Sequence, residues 1–154
     1  MRKGEGVYKR RELKKAYADW LQQQHFTIFA TVKFVDGSEV NETEATKRLR
    51  FFFNKLDRKV KTHKEVKEGK RLKRHVYIEK GRSRQNIHAH FFTKGSTLKE
   101  TKSIIYNAQH IWQTVDNASD IEVSLIENND GIKGYCTKEL DTVDTDILLT
   151  DCTH

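Results

Sequence analysis

The chain has 154 residues, 36% of them hydrophobic and 33% charged, which suits one domain with a real core and leaves too little for two. No apolar run approaches the ~18–20 residues that span a bilayer, and the opening MRKGEGVYKRRELKK lacks the apolar stretch of a secretory signal, so a membrane partner is not expected and the compartment read is a cytoplasm or a nucleus. Twenty-nine Lys and Arg against 22 Asp and Glu give a net charge of +7, which favours a polyanionic partner without naming one.

The positive charge is clustered at residues 9–15, 47–73 and 80–84, while residues 141–154 form an acidic tail. Such clustering suits a phosphate backbone, because each neutralised phosphate releases condensed counterions; a Lys-rich helix is more often just a solvated face. The two cysteines, Cys136 and Cys152, have no metal-site spacing and read as free thiols.

The first helix is expected over residues 8–24, where Leu13, Ala16, Tyr17, Trp20 and Leu21 trace one face. Residues 25–34 are rich in β-branched and aromatic side chains and end at Asp36-Gly37-Ser38, a strand closed by a turn. A second helix follows, capped by Asn41 or Thr43 and continuing through Leu49, Phe52, Phe53 and Leu56, with strongly basic exposed faces. Two strands, 75–80 and 87–93, are joined by Gly81-Arg82-Ser83-Arg84-Gln85-Asn86. A third helix is expected over 97–114 and a strand over 121–126. A turn at Asn128-Asn129-Asp130-Gly131 and a short helix over 132–140 complete the elements.

Without its flanking helices the order is β-α-β-β-α-β. The fold class expected is therefore α+β, ferredoxin-like or RRM-like: an antiparallel sheet of about five strands with helices packed on one face, and one domain whose core spans about 25–140. This topology serves many activities and cannot name one.

His88 and His90 flank Ala89 on one strand, so their side chains share a face about 6.5–7 Å apart along it. Glu79 sits nine residues before His88 on the preceding strand, and antiparallel pairing can bring it opposite the two histidines. Two imidazoles and a carboxylate suit a divalent cation, Mn²⁺ or Mg²⁺, holding a phosphate oxygen. A His-x-His on a strand is also commonly a plain polar pair. His75 is an alternative ligand on the Glu79 strand, about 13 Å further along the same face. Beyond the last strand, Tyr135 and Lys138 are three residues apart and project from one side of the short helix. A neighbouring ammonium and a polarised phosphodiester would help a phenol attack, although an aromatic residue on a short helix is usually packing.

Taken in order, these features resemble the HUH endonucleases, and among them the replication initiator proteins of small circular single-stranded DNA viruses and related phages and plasmids. Phe26-Thr27-Ile28-Phe29-Ala30-Thr31 is similar to the first family motif, and His88-Ala89-His90 to the histidine pair, with alanine replacing the usual bulky apolar residue. Tyr135-Cys136-Thr137-Lys138 is similar to the third motif, and Glu79 falls where the family places its remaining metal ligand. The tyrosine follows the histidines, as in initiators and unlike conjugative relaxases.

The resemblance covers about 26–140 and implies a metal held by Glu79, His88 and His90, with Tyr135 as nucleophile and Lys138 stabilising charge. It implies nicking and joining of single-stranded DNA at an origin expected to form a stem-loop, through a 5′-phosphotyrosine that starts rolling-circle replication. Partners would include a helicase domain or host replication proteins, in a bacterial cytoplasm or a eukaryotic host nucleus. No Gly-x-x-x-x-Gly-Lys-Ser/Thr loop occurs in these 154 residues. Lys33, Lys80, Arg82 and Arg84 are the expected backbone contacts, and Phe26 and Tyr77 the expected stacking rings. Two other readings stand beside this one: a non-catalytic RRM-like binding module and a single-tyrosine HUH transposase.

Overall fold

A computed structural model of the chain describes residues 12, 15–36, 39–80, 87–117, 120–126 and 147–148. In chain order the elements are α1 (residues 15–23), β1 (Ile28–Lys33), α2 (Glu42–Val60), α3 (His63–Lys67), β2 (Arg74–Lys80), β3 (Ile87–Thr93), α4 (Leu98–Val115), β4 (Ile121–Leu125) and β5 (Ile147–Leu148). The expected turn at 128–131 and helix at 132–140 lie outside the described residues.

Local chemistry sets the boundaries. The first strand starts at Ile28 rather than at residue 25, because the chain turns after α1 and His25 takes a positive φ of 56°. The α2 cap is Asn41, whose Oδ1 accepts from the Glu44 amide at 2.8 Å, and Glu42 and Glu44 in the first turn favour the helix dipole. Thr97 caps α4 in the same way. The short α3 was hidden in a basic run; Thr62 and Glu65 close a reciprocal capping box that starts it.

Four full strands lie in the order β4-β1-β3-β2, all neighbours antiparallel, an arrangement compatible with a ferredoxin-like fold. The expected count of about five is thus four, extended at the β2 edge only by the two residues of β5, which pair Ile147 with Ile78 and Leu148 with Tyr77. That segment falls in the stretch expected to be an acidic tail.

Strand alternation divides the sheet into two faces. Ile28, Ala30 and Val32 of β1, Val76 and Ile78 of β2, and Ile87, Ala89 and Phe91 of β3 all point toward α2 and α4. There Phe52, Phe53, Phe91 and Trp112 meet edge to face or tilted at 5.0–6.0 Å, between fully buried Leu49, Leu56, Ile104 and Ala108. The two helices of the β-α-β-β-α-β order share one face, as expected, and the flanking helix α1 lies on the other. Its Leu21 packs with Phe26, Phe29, Tyr77 and Phe92 in a second, smaller core, because these alternate residues are apolar at that end of the sheet.

Two ionic clusters tie the helical layer to the sheet. Asp57 on α2 holds Arg74 of β2 at 2.9 and 3.0 Å and accepts from the Leu72 amide, with the Arg74 guanidinium 4.5 Å over the Phe53 ring. Arg48 bridges Asp36 after β1 and Asp116 after α4, and it holds the Asp36 carboxyl below its ordinary range. Trp112 donates its indole N–H to the Lys33 carbonyl at 3.1 Å, anchoring the end of β1. The sheet edge that carries the polar face is therefore braced from behind.

Candidate functional site

On the face that α1 covers only in part, the register builds a grid of polar side chains. Glu79 pairs with His88 and Tyr77 with His90 across β2 and β3. Lys33 pairs with His88 and Thr31 with His90 across β3 and β1, and Glu122 stands opposite Thr31 on β4. One row reads Glu79-His88-Lys33, and the next reads Tyr77-His90-Thr31-Glu122.

Within this grid the Glu79 carboxylate reaches diagonally to His90, with Oε2 2.7 Å from Nε2. The other ring nitrogen, Nδ1, lies 3.1 Å from the Thr31 hydroxyl. A carboxylate only accepts, so Nε2 carries the proton in this contact, and in a neutral ring Nδ1 accepts from Thr31. Phe29 stacks on the imidazole at 5.6 Å and Tyr77 flanks it at 5.2 Å, which fixes the ring plane. His90 is buried, and His88 is partly exposed on the same face. Thr31 lay within the first motif, yet nothing in one sequence distinguished it; only the strand register identifies it as the group that orients His90.

The donor chemistry of Glu79, His88 and His90 fits a divalent cation, with two imidazoles, one carboxylate and a partner hydroxyl on the far side of one ring. Among the described residues, however, no three His, Cys, Asp or Glu side chains converge as a metal-holding group. Glu79 and His90 are in direct contact, and neighbouring ligands at about 2.1 Å from a cation would sit about 3 Å apart. Ligation therefore requires this contact to open by a few tenths of an ångström and Nε2 to give up its proton, which Nδ1 can take and donate to the Thr31 oxygen.

The remaining expected residues divide into three groups. Lys33 is at the end of β1, half-exposed, with its Nζ 3.5 Å from Glu122. Phe26 and Tyr77, expected as open stacking rings, are instead 3% and 6% exposed. They belong to the second core, where Leu21 and Phe92 cover them, so neither presents a free face to a base. Tyr135, Lys138, Arg82 and Arg84 lie outside the described residues, and of Lys80 only the backbone position at the end of β2 is described.

His75, the alternative ligand, is built into the docking of α1. Its Nε2 meets the Tyr17 hydroxyl, its ring lies 5.3 Å from Trp20 edge-on, and its buried Nδ1 has no hydrogen-bond partner among the described residues. Burial pushes the imidazole down from 6.5 to about 4. Between those two values the unfolded chain binds the proton and the folded chain does not. Stability is therefore present above about pH 6.5 and is lost as pH falls toward 4, by at most about 1.4 kcal/mol per pH unit. Urea midpoints at pH 7, 5.5 and 4.5 should fall more steeply for the wild type than for His75→Phe. Equal slopes would remove His75 as the source.

No family model, no curated protein and no solved structure matches this chain. The functional reading therefore rests on the residues and on their placement.

Proposed function

We propose that the protein is a metal-dependent HUH-type endonuclease that nicks and rejoins single-stranded DNA at a replication origin, as an initiator of rolling-circle replication. The observation that carries this reading is the Glu79–His90 contact at 2.7 Å, with the partly exposed His88 in register opposite Glu79 and Thr31 on the second nitrogen of His90. A carboxylate and an imidazole in contact, with a second imidazole in register opposite the carboxylate, are the donor types that the histidine motif and Glu79 imply. The four-stranded antiparallel sheet with helices on it is compatible with the ferredoxin-like frame of such enzymes.

In this reading Glu79, His88 and His90 hold a Mn²⁺ or Mg²⁺ ion, which supplies Lewis-acid charge at the scissile phosphate. Thr31 keeps the His90 ring turned so that Nε2 faces the reacting group, and the stacked Phe29 prevents the ring from swinging away. Tyr135 is the nucleophile: a bond forms from its phenolic oxygen to phosphorus, the bond to the 3′ oxygen breaks, and that oxygen leaves as a hydroxyl. Lys138, one helical turn on, places positive charge near the phenolate and phosphate. The phosphotyrosine keeps the energy of the broken ester, so attack by a 3′-hydroxyl reverses the step and joins strands.

The test is covalent capture. Incubation with Mn²⁺ and a randomised single-stranded DNA pool should give an SDS-resistant slower band that disappears with chelator. His90→Ala should reduce it by about 10²-fold or more, since that change removes both a ligand and the partner of Glu79. DNA binding without any adduct would instead favour the non-catalytic binding module, which the same topology and net charge also accommodate. Excision between paired hairpins by the wild type would assign the chemistry to transposition.

A further inference from the structure

Two of the exposed aromatic rings, Phe51 and Tyr106, lie on the helical layer away from the Glu79–His90 face, together with lysines of α2. Contacts Lys61–Glu100 at one end and Arg48–Asp116 at the other show that α2 and α4 run antiparallel across the sheet. On α2, Phe51, Lys55 and Lys59 recur every four residues; on α4, Tyr106, His110 and Thr114 do the same. Between the two ridges is a cleft of about 590 Å³ lined by Lys55, Lys59, Tyr106, Asn107, His110 and Ile111. Three basic side chains and no carboxylate line it.

The lining is arranged for an anion with a flat apolar part. Lys55 Nζ is 4.9 Å from the Phe51 ring centre and 3.2 Å from the Thr114 hydroxyl, so its ammonium is held across the mouth. Tyr106 is 86% exposed and Phe51 55%, rings that the core does not use. The nearest acids on these helices are committed elsewhere, Asp57 to Arg74 inside the core and Glu100 to Lys61. Alternating lysines and open rings suit a single-stranded nucleic acid, whose phosphates take the ammonium groups and whose bases stack on exposed aromatics. A duplex offers no free base face to stack.

We propose that the α2–α4 cleft is a second nucleic-acid site, taking a single-stranded segment with a base on Tyr106 and phosphates on Lys55 and Lys59. It lies on the layer opposite the Glu79–His90 face and does not depend on nuclease activity there. A strand engaged at both places passes around an edge of the domain, so the cleft would retain DNA at a distance from the chemistry.

The experiment uses the full chain and a fluorescein-labelled 20-nucleotide oligo(dT), read by anisotropy across a sodium chloride series. Lys55→Gln/Lys59→Gln should weaken binding about tenfold. It should also flatten the slope of log K against log salt by about 1.4, or ~0.7 for each lost phosphate contact. Tyr106→Ala should weaken binding about tenfold with little change in slope. Circular dichroism should be unchanged, since all three side chains are at the surface. A benzophenone placed at Tyr106 should crosslink to the oligonucleotide.

Wild-type affinity and slope in both variants would overturn the proposal, as would the absence of oligo(dT) binding by the wild type. If His88→Ala/His90→Ala abolishes oligo(dT) binding while the cleft variants keep it, the sheet face is the sole site. Retained DNA binding together with cleft-dependent capture of a polyglutamate peptide would assign the cleft to an acidic protein segment.

Discussion

Replacing Tyr135 with phenylalanine should eliminate the covalent protein–DNA adduct while leaving affinity for the same oligonucleotide within about twofold. The phenyl ring occupies the same space but has no oxygen to form the phosphoester, so the loss should be on the order of 10³-fold or greater. The measurement is the SDS-resistant band formed with Mn²⁺, quantified beside an anisotropy titration on identical protein. A band that survives would move the nucleophile to another of the five tyrosines, and the structure ranks the three it describes. Tyr77 comes first, because it pairs with His90 across the strands and its ring is 5.2 Å away. Tyr17 is on the same face, but its hydroxyl is engaged by His75. Tyr106 projects from the opposite layer and would require a different site altogether. Loss of affinity along with the band would instead mean that Tyr135 holds DNA rather than attacking it.

The largest stability effect should come from Asp57→Ala. Asp57 and Arg74 are 1% and 3% exposed, and the carboxylate also accepts from the Leu72 amide at 3.0 Å. Truncation leaves a buried guanidinium without its counter-charge and a buried N–H without an acceptor. Breaking such a pair from one side costs about 3–5 kcal/mol. For a domain of this size that lowers Tm by about 10 °C, measurable by thermal or urea unfolding. Removing both charges as Asp57→Ala/Arg74→Met should restore much of the loss, since desolvation is then no longer uncompensated. A single variant costing less than about 1 kcal/mol would show that water reaches the Arg74 guanidinium and the Leu72 amide, since Arg71, 3.7 Å from Asp57, is a second cation and cannot replace the carboxylate.

Much of the sheet was legible because its patterns are local. Alternation along 87–93 marked β3 and the shared face of His88 and His90, and both helices over the main core carried their caps and apolar stripes in sequence. The placement of α1 was not legible. Leu21 has the same hydrophobic pattern whichever face it covers, and the choice depends on Phe29, Tyr77 and Phe92 meeting from three different strands. That same convergence buries Phe26 and Tyr77, which in sequence look like any aromatic residue near a basic loop. The Glu79 assignment needed register, and spacing alone allowed it without fixing which histidine the carboxylate touches. It touches His90, while His88 is its direct cross-strand neighbour. The two-residue β5 carries no periodicity at all and is recognisable only from its pairing with β2.

The parity of β3 separates two kinds of selection acting on one strand. Residues 87, 89 and 91 answer to packing against α2 and α4, while 88 and 90 answer to whatever chemistry the opposite face performs. Substitutions at the partly exposed position 88 can accumulate with little effect on the scaffold, whereas 90, buried between Phe29 and Tyr77, answers to packing as well. A one-residue insertion or deletion within the strand has no such latitude. It would turn imidazoles into the apolar layer under α2 and α4 and Phe91 out of it in one event, so this stretch should tolerate changes of identity far better than changes of length.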